Sequence, residues 1–235
     1  MSPYGAAPQQ SEDTVAGDLA VAGNARLTAM TGLVLLVLLA AEVATVVLGV
    51  DSVVTAHVAV GLVLTPFVAL KLGSAGWRIV KYYRGDSAYA RRGAPSMYLR
   101  VLGALFIVLT VALLGSGLLT YLGPGALHTA AVETHKVSFY PWAAVLVVHV
   151  VAHFAEAVLL AAADLLARSR VRLTGVRYRR AALLGSLAIA VVLALTLTGN
   201  TGQYLRLHPK HSRGHVATVE LRIPRPDTVL VHRSG

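Results

Sequence analysis

The chain has 235 residues, of which 56% are hydrophobic and 14% are charged, and its formal net charge is +10. Soluble domains contain about 45–50% apolar and about 25% charged residues, so this composition indicates an integral membrane protein. The chain has no cysteine, which excludes disulfides, cysteine-bound iron–sulfur clusters and covalent haem attachment. Basic loops in contact with anionic lipid headgroups explain the positive charge. Nucleic-acid binding is therefore not indicated.

Five segments are long and apolar enough to cross a bilayer core of about 30 Å, which takes about 20 residues of helix. They are residues 27–50, 53–80, 99–121, 139–167 and 181–198. The predicted fold class is all-α. Five transmembrane helices form a bundle over residues 27–199, and four of them form its core. We expect residues 1–26 to form a flexible N-terminal tail and residues 200–235 to form a C-terminal tail with a small hairpin.

Basic residues cluster in two of the connections between spans. They are Arg78, Lys81, Arg84, Arg91, Arg92 and Arg100 after the second span, and Arg168, Arg170, Arg172, Arg177, Arg179 and Arg180 after the fourth. By the positive-inside bias both connections are cytoplasmic, so we expect a cytoplasmic N-terminus and an extracytoplasmic C-terminus. The C-terminal tail carries six further Lys and Arg residues on the predicted outer side, but long terminal segments weigh less than short loops.

Histidines interrupt the apolar background at a regular spacing. His135 and His149 are fourteen residues apart, which is almost four helical turns, so both imidazoles project from nearly the same helix face about 21 Å apart. His153 extends this stripe. On the second span, which runs parallel to the fourth, His57 and Lys71 repeat the fourteen-residue spacing. Ionisable groups at membrane depth usually face the interior and bind an ion, a proton or a cofactor.

Haem b suits this arrangement, because two neighbouring helices supply one imidazole to each side of the iron at matched depth. Gly61 on the second span is predicted to let the ring lie against the backbone, and Gly115 and Gly117 are candidates for the same role on the third. Lys136 on the outer side and Arg78 on the inner side are the candidate partners of the propionates.

Two pairings of these ligands stay open. If the outer helix starts are aligned, His57 faces His135 and Lys71 faces His149, which gives one bis-histidine haem and a second site with a lysine in place of a histidine. If the cytoplasmic ends are aligned, His57 lies nearer the depth of His149, and His135 is left at the surface for a propionate or a quinone. One haem is favoured over two.

Other polar residues have more than one interpretation. Glu42 lies in the middle of the first span, where an unpaired charge is costly. It is a candidate for proton uptake coupled to quinone chemistry, or for a structural pair with Lys71 or a histidine. In the C-terminal tail, His208, His211 and His215 have a spacing loosely compatible with a metal site, although a solvated linker is the favoured interpretation.

Three stretches together resemble the membrane-embedded b-type cytochromes of bacteria, of the formate-dehydrogenase gamma-subunit, nickel-hydrogenase and b-561 type, and particularly their actinobacterial relatives. They are HVAVGLVLTPFVALKLGSAGWR (57–78), RVLGALFIVLTVALLGSGLLTYLGPG (100–125) and HKVSFYPWAAVLVVHVVAH (135–153). The resemblance covers about residues 27–200. It implies haem iron ligands at His57, His135 and His149, with Lys71 where di-haem members place a fourth histidine.

The same resemblance implies a place in the bacterial cell membrane and partners for electron transfer. These are a quinone pool, menaquinone among the candidates, and a redox protein or larger respiratory complex. The leading hypothesis is therefore a haem b electron-transfer subunit that passes electrons between quinone and a partner oxidoreductase. An independent enzyme is not favoured, because the sequence contains no nucleophile elbow, phosphate-binding loop or metalloprotease helix.

The alternative hypothesis is a haem-free transporter or assembly subunit whose His/Glu/Lys stripe relays protons or binds a divalent cation. Transporters often contain paired broken helices. Pro66 and Pro141 lie in corresponding parts of the second and fourth spans, and this keeps the alternative open.

Overall fold

The computed structural model describes residues 6–91, 93, 96–165 and 175–200. In that part of the chain all regular structure is helical: α1 (Ala6–Val47), α2 (Val54–Tyr83), α3 (Ser87–Arg91), α4 (Met97–Leu122), α5 (Gly125–Leu165) and α6 (Val176–Leu197), with short 3-10 turns at Val50–Ser52 and Thr198–Asn200. All of these α-helices except α3 are long and apolar enough to cross a membrane. The prediction of an all-α bundle with five membrane-spanning helices is confirmed. The predicted hairpin and the three tail histidines lie outside the described residues.

The long helices carry apolar side chains on their outer surfaces. Val108 of α4 is 64% exposed and Leu195 of α6 is 75% exposed, and many other large aliphatic side chains of these helices are similarly uncovered. Such surfaces are unfavourable in water but suit a helix that contacts lipid on one side and protein on the other. The outer face of the bundle is therefore the lipid-facing surface.

Helix α1 lies at the centre of the arrangement. Both α2 and α5 pack against α1, while α6 packs on α2 and α4 packs on α5. A core cluster of Leu35, Leu64, Phe67 and Ala190 joins α1, α2 and α6. In the described residues α2 and α5 have almost no direct backbone contact. Helix α1 is therefore the neighbour that α2 and α5 share.

The N-terminal part of the chain differs from the prediction of a flexible tail, because α1 begins at Ala6. Tertiary contacts hold this extension in place. Val21 belongs to a buried cluster with Ala88 of α3, and Asp18 forms an ion pair with Arg91 at 2.9 Å. Packing against α3 thus overrides the polar, glycine-containing composition on which the prediction was based.

Helix α5 is also longer than the predicted fourth span, since it begins at Gly125 rather than near residue 139. His135 and His149 therefore lie on one continuous helix. Pro66 and Pro141 both lie inside uninterrupted helices, so neither α2 nor α5 is broken at its proline. This removes the sequence feature that kept the transporter hypothesis open.

The C-terminal end of α2 has the features of a membrane interface. Trp77 is 54% exposed, and the Lys81 ammonium lies 5.3 Å from the centre of its ring. Lys81 also donates a hydrogen bond to Asp86 at 3.1 Å, and this bond lowers the pKa of the Asp86 carboxyl. Exposed tryptophan beside basic residues is typical of the headgroup level of a bilayer.

Candidate functional site

His57, in the first turn of α2, contacts two polar side chains of α1. Its Nδ1 lies 2.8 Å from Thr45 Oγ1 and 3.3 Å from Glu42 Oε1. The Thr45 hydroxyl donates its own proton to the backbone carbonyl of Glu42 at 2.6 Å, so its oxygen is left to accept a hydrogen bond. We therefore assign the proton of the neutral imidazole to Nδ1, which leaves the lone pair on Nε2.

His135 of α5 has the same tautomer for a different reason. Its Nδ1 lies 2.9 Å from the backbone carbonyl oxygen of Leu113 in α4, and a carbonyl only accepts hydrogen bonds. Gly117, one turn further along α4, permits this approach. A Cβ atom at position 117 would lie 3.0 Å from Cε1 of the His135 ring. The lone pair of His135 is thus on Nε2 as well.

The two imidazoles, one from α2 and one from α5, lie close together. Their ring centres are 6.1 Å apart and their planes are inclined at 81°. With a metal–nitrogen bond of about 2 Å, and roughly 1 Å more from nitrogen to ring centre, imidazoles on opposite sides of one metal have centres roughly 6 Å apart. Metal-binding histidines usually donate their other ring N–H to a carboxylate or a carbonyl. Both features are present at His57 and His135.

Two buried polar side-chain atoms have no hydrogen-bond partner among the described residues, Glu42 Oε2 on α1 and Thr120 Oγ1 on α4. Buried polar atoms are ordinarily hydrogen-bonded, and Glu42 Oε2 belongs to the carboxyl group that contacts His57. The polar surroundings of His57 therefore include one atom whose hydrogen bond is not made within the described residues.

Haem iron and a bare metal ion need different numbers of ligands from a protein chain. A bare divalent ion needs at least three protein ligands, whereas haem iron brings its porphyrin nitrogens and takes only axial ligands from the chain. Within the described ranges, no three His, Asp or Glu side chains converge closely enough to hold a metal. His57 and His135 are the residues that could serve as two axial ligands.

Lys71, the other member of the fourteen-residue spacing on α2, lies about four turns after His57. Lys71 Nζ donates a hydrogen bond to the backbone carbonyl of Thr28 at 2.7 Å. A Cβ at Gly32 would lie 2.9 Å from the same ammonium, so the glycine makes room for it. Ser74 and Asn24 form a further polar contact between α2 and α1, in which Asn24 Nδ2 donates to the Ser74 carbonyl at 3.1 Å.

His149 lies in an aromatic cluster. Its ring stacks on Phe106 with centres 4.7 Å apart, and the centre of the His153 ring lies 4.8 Å from that of His149. Trp142 extends the cluster outwards by stacking on Phe106 at 6.3 Å. Lys71 lies within electrostatic range of His149.

Of the two helix alignments that the sequence left open, the structure has the one that places His57 beside His135. His57 is beside His135, and Lys71 is near the level of His149, whereas the pairing of His57 with His149 is not found. Arg78 is exposed at the inner end of α2, about 31 Å along the helix from His57.

Lys136, the other candidate partner of the propionates, lies on the surface. Lys136 donates to Glu133 at 3.4 Å, and both side chains are more than half exposed. Neither Lys136 nor Arg78 contacts the imidazole pair. Gly61 lies beside the pair, since a Cβ there would be 3.5 Å from Glu42 Oε1, while a Cβ at Gly115 would meet no atom within 4 Å.

Sequence reasoning missed two groups that orient the imidazoles, Thr45 and the Leu113 carbonyl. Thr45 follows Glu42 by three residues, so the two lie on one face of α1, and this spacing is a signal that the sequence contains. The Leu113 carbonyl leaves no signal, because any residue at position 113 supplies the same backbone oxygen.

We predict that Lys71→Met leaves haem binding at the outer pair unchanged. The ammonium is engaged by the Thr28 carbonyl, and the helix rise separates it from His57 by about 21 Å. The measurement is the visible spectrum and the haem content per chain of the purified variant. A changed axial-ligand spectrum would show instead that Lys71 binds iron.

The fold defines a class of protein, a multi-pass, all-α membrane protein, and in it two imidazoles from α2 and α5 lie close together. Comparison with protein-family models, with curated proteins and with solved structures finds no match to this chain. The resemblance to bacterial b-type cytochromes consequently rests on the three sequence stretches alone and stays a prediction.

Proposed function

We propose that this protein is a membrane haem b protein that transfers electrons, with His57 and His135 as the axial ligands. The observation that carries the proposal is the geometry of this pair. The two ring centres are 6.1 Å apart, and each Nδ1 is engaged by an acceptor of a neighbouring helix. The assigned tautomers leave the lone pair of each ring on Nε2, the atom with which each imidazole would bind iron.

The residues of the chain have distinct tasks in this proposal. His57 and His135 bind the iron, while Thr45 and the Leu113 carbonyl fix the orientation of the two rings. Leu64, buried two turns below His57, excludes water from the inner side. A bound haem b supplies a one-electron couple of ferric and ferrous iron. The protein contributes ligands, burial and orientation.

A quinone and a redox protein are the proposed electron partners, and one of them belongs to the lipid phase. Lipid-facing surfaces on all the long helices support access for an isoprenoid quinone such as menaquinone. The connections after the second and fourth spans are rich in Lys and Arg, and this supports a cytoplasmic position for these two connections. With that orientation the His57–His135 pair belongs to the outer half of a bacterial cell membrane, and the protein works as a subunit of a respiratory complex.

The haem-free alternative has less support from the geometry. A proton relay through the bundle needs polar groups in sequence, but the described polar clusters around His57 and around Lys71 are separated by buried apolar residues. Leu35 on α1, together with Leu64 and Phe67 on α2, fills the interval between them.

Metal analysis and the visible spectrum of one preparation test the proposal. The protein is purified in mild detergent from cells grown with ample haem precursor. We expect iron together with a reduced-minus-oxidised spectrum of b type. A haem-free protein, with or without zinc or manganese, would refute the haem proposal.

The proposed orientation makes an all-or-none prediction, because the chain has no cysteine. Ser52 and Ser87 are exposed serines at opposite ends of α2, and replacing each by cysteine gives a matched pair. In intact cells a membrane-impermeant maleimide should label Ser52→Cys at once and Ser87→Cys only after the membrane is opened. Labelling in the reverse order would show that the topology is the opposite of the proposed one.

A further inference from the structure

We propose that the C-terminal end of α2 and the N-terminal end of α6 together bind the headgroup of an anionic phospholipid, with Arg78 and Arg180 as the residues that contact its phosphate. This surface is at the opposite end of α2 from His57. The inference goes beyond the proposed function and does not depend on a bound haem, because it needs only the placement of the helices in a membrane.

The two helix ends lie on the same side of the bundle. Tyr121, near the end of α4, donates a hydrogen bond to the backbone carbonyl of Leu197 at the end of α6. The C-terminal half of α4 also contacts His135, whose ring is next to that of His57 at the start of α2. Helix α6 therefore ends where α2 begins, and it begins where α2 ends.

Packing of α6 on α2 places the two arginines at nearly the same level. Ala190 of α6 and Phe67 of α2 belong to one buried cluster. Arg78 lies eleven residues after Phe67, which is about 16 Å along the helix axis, and Arg180 lies ten residues before Ala190, which is about 15 Å. Both arginines are thus at one end of the bundle, within helices rather than in a connecting loop.

The positive charge of these helix ends is not neutralised by carboxylates of the same helices, since neither α2 nor α6 contains Asp or Glu. Arg78 and Arg180 are exposed and form no ion pair within the described residues, whereas Lys81 is paired with Asp86. A guanidinium can bind phosphate oxygens through two parallel hydrogen bonds. A zwitterionic headgroup brings an ammonium that the arginines repel, so a headgroup with net negative charge fits best.

Aromatic and aliphatic side chains beside the arginines favour a lipid over free phosphate. Trp77 is 54% exposed and Tyr178 is 82% exposed, and exposed Trp and Tyr are typical of the headgroup level of a bilayer. Leu184 follows Arg180 by about one turn on the same face of α6 and is 65% exposed. A lipid can therefore place its phosphate at the arginines and an acyl chain over Leu184.

Quenching of tryptophan fluorescence by brominated lipids tests the proposal. Of the two tryptophans, Trp142 is 5% exposed and Trp77 is 54% exposed, so Trp77 is the one that lipid reaches. The full chain is reconstituted in vesicles of phosphatidylglycerol and phosphatidylcholine in equal amounts, with one or the other brominated. We expect a several-fold binding preference for phosphatidylglycerol, which falls at high salt because salt screens exposed charges.

The double variant Arg78→Gln/Arg180→Gln tests the two arginines. The matched control is Lys136→Gln, which removes an exposed positive charge at the other end of the bundle. Each basic residue near an anionic surface contributes about a fivefold preference, so the double variant should lose most of the selectivity and the control should retain it. Both arginines are exposed, so their replacement leaves the packing of the helices intact.

Three outcomes would overturn the proposal, and the first needs only the wild-type chain. Equal binding of the two lipids would show that these helix ends do not select anionic lipid, and would favour an acidic protein surface as their partner. Selectivity that persists in the double variant would exclude Arg78 and Arg180 as phosphate ligands. Selectivity lost in sodium phosphate but kept in sodium chloride of equal ionic strength would assign the site to free phosphate.

Discussion

Replacing His57 by alanine is expected to abolish haem binding, so that the Soret band of the purified protein disappears. The ring centres of His57 and His135 are 6.1 Å apart, and in the proposed site the loss of either imidazole would leave the iron with one protein ligand. His135→Ala should therefore have the same effect. The measurement is the haem content per chain by the pyridine haemochrome assay.

The controls for this prediction are two other histidines of α5. His128 contacts the carbonyl of Thr120 at 3.3 Å, and His149 stacks on Phe106. His128→Ala and His149→Ala should keep the wild-type haem content. Loss of haem in His149→Ala and its retention in His135→Ala would instead support the alternative pairing of His57 with His149.

Replacing Gly117 by alanine is expected to cause the second largest loss of haem. The added Cβ would lie 3.0 Å from Cε1 and 3.1 Å from Nδ1 of His135, which is closer than ordinary van der Waals contact. The ring has to move away from α4, and its hydrogen bond to Leu113 is then lost or misaligned. We expect most of the purified chains to be haem-free, as measured by the ratio of Soret to protein absorbance.

Gly115→Ala on the same helix is the matched control, because a Cβ there would meet no atom within 4 Å. Alanine is favoured over glycine in a helix by roughly 1 kcal/mol, so neither variant should destabilise α4 through its backbone. Equal haem contents in Gly117→Ala and Gly115→Ala would mean that the close approach of His135 to α4 is not needed for haem binding.

Much of the fold follows from the sequence, because membrane helices have a strong signal. Apolar runs of about 20 residues have few alternatives in a bilayer, and each of the five predicted spans corresponds to a long helix. The missed features lie outside the apolar runs. The N-terminal extension of α1 depends on Asp18, Val21 and their contacts with α3, and long-range contacts of this kind have no periodic pattern.

The sequence indicated how the candidate residues are spaced along their helices but left their pairing open. The fourteen-residue spacing on α2 and α5 indicated two levels in the membrane, and the structure has His57 and His135 at one level and Lys71 and His149 near the other. The pairing of these groups depends on how far α2 is shifted along its axis relative to α5. These two helices have almost no direct contact, so their packing against α1 sets the shift. Local sequence contains no information about it.

The contacts of Lys71 and His149 are the reason that the proposed function has one haem rather than two. The Lys71 ammonium donates to the Thr28 carbonyl, and the His149 ring contacts the rings of Phe106 and His153. Both side chains are therefore already engaged by neighbouring groups of the chain.

Low-temperature electron paramagnetic resonance of the oxidised, purified protein tests the central claim most directly. The account predicts one low-spin ferric haem with two imidazole ligands. Because the ring planes are inclined at 81°, its signal should be of the strongly anisotropic kind that nearly perpendicular imidazoles produce. A preparation without a ferric haem signal, or with only high-spin haem, would contradict the assignment of His57 and His135 as a ligand pair.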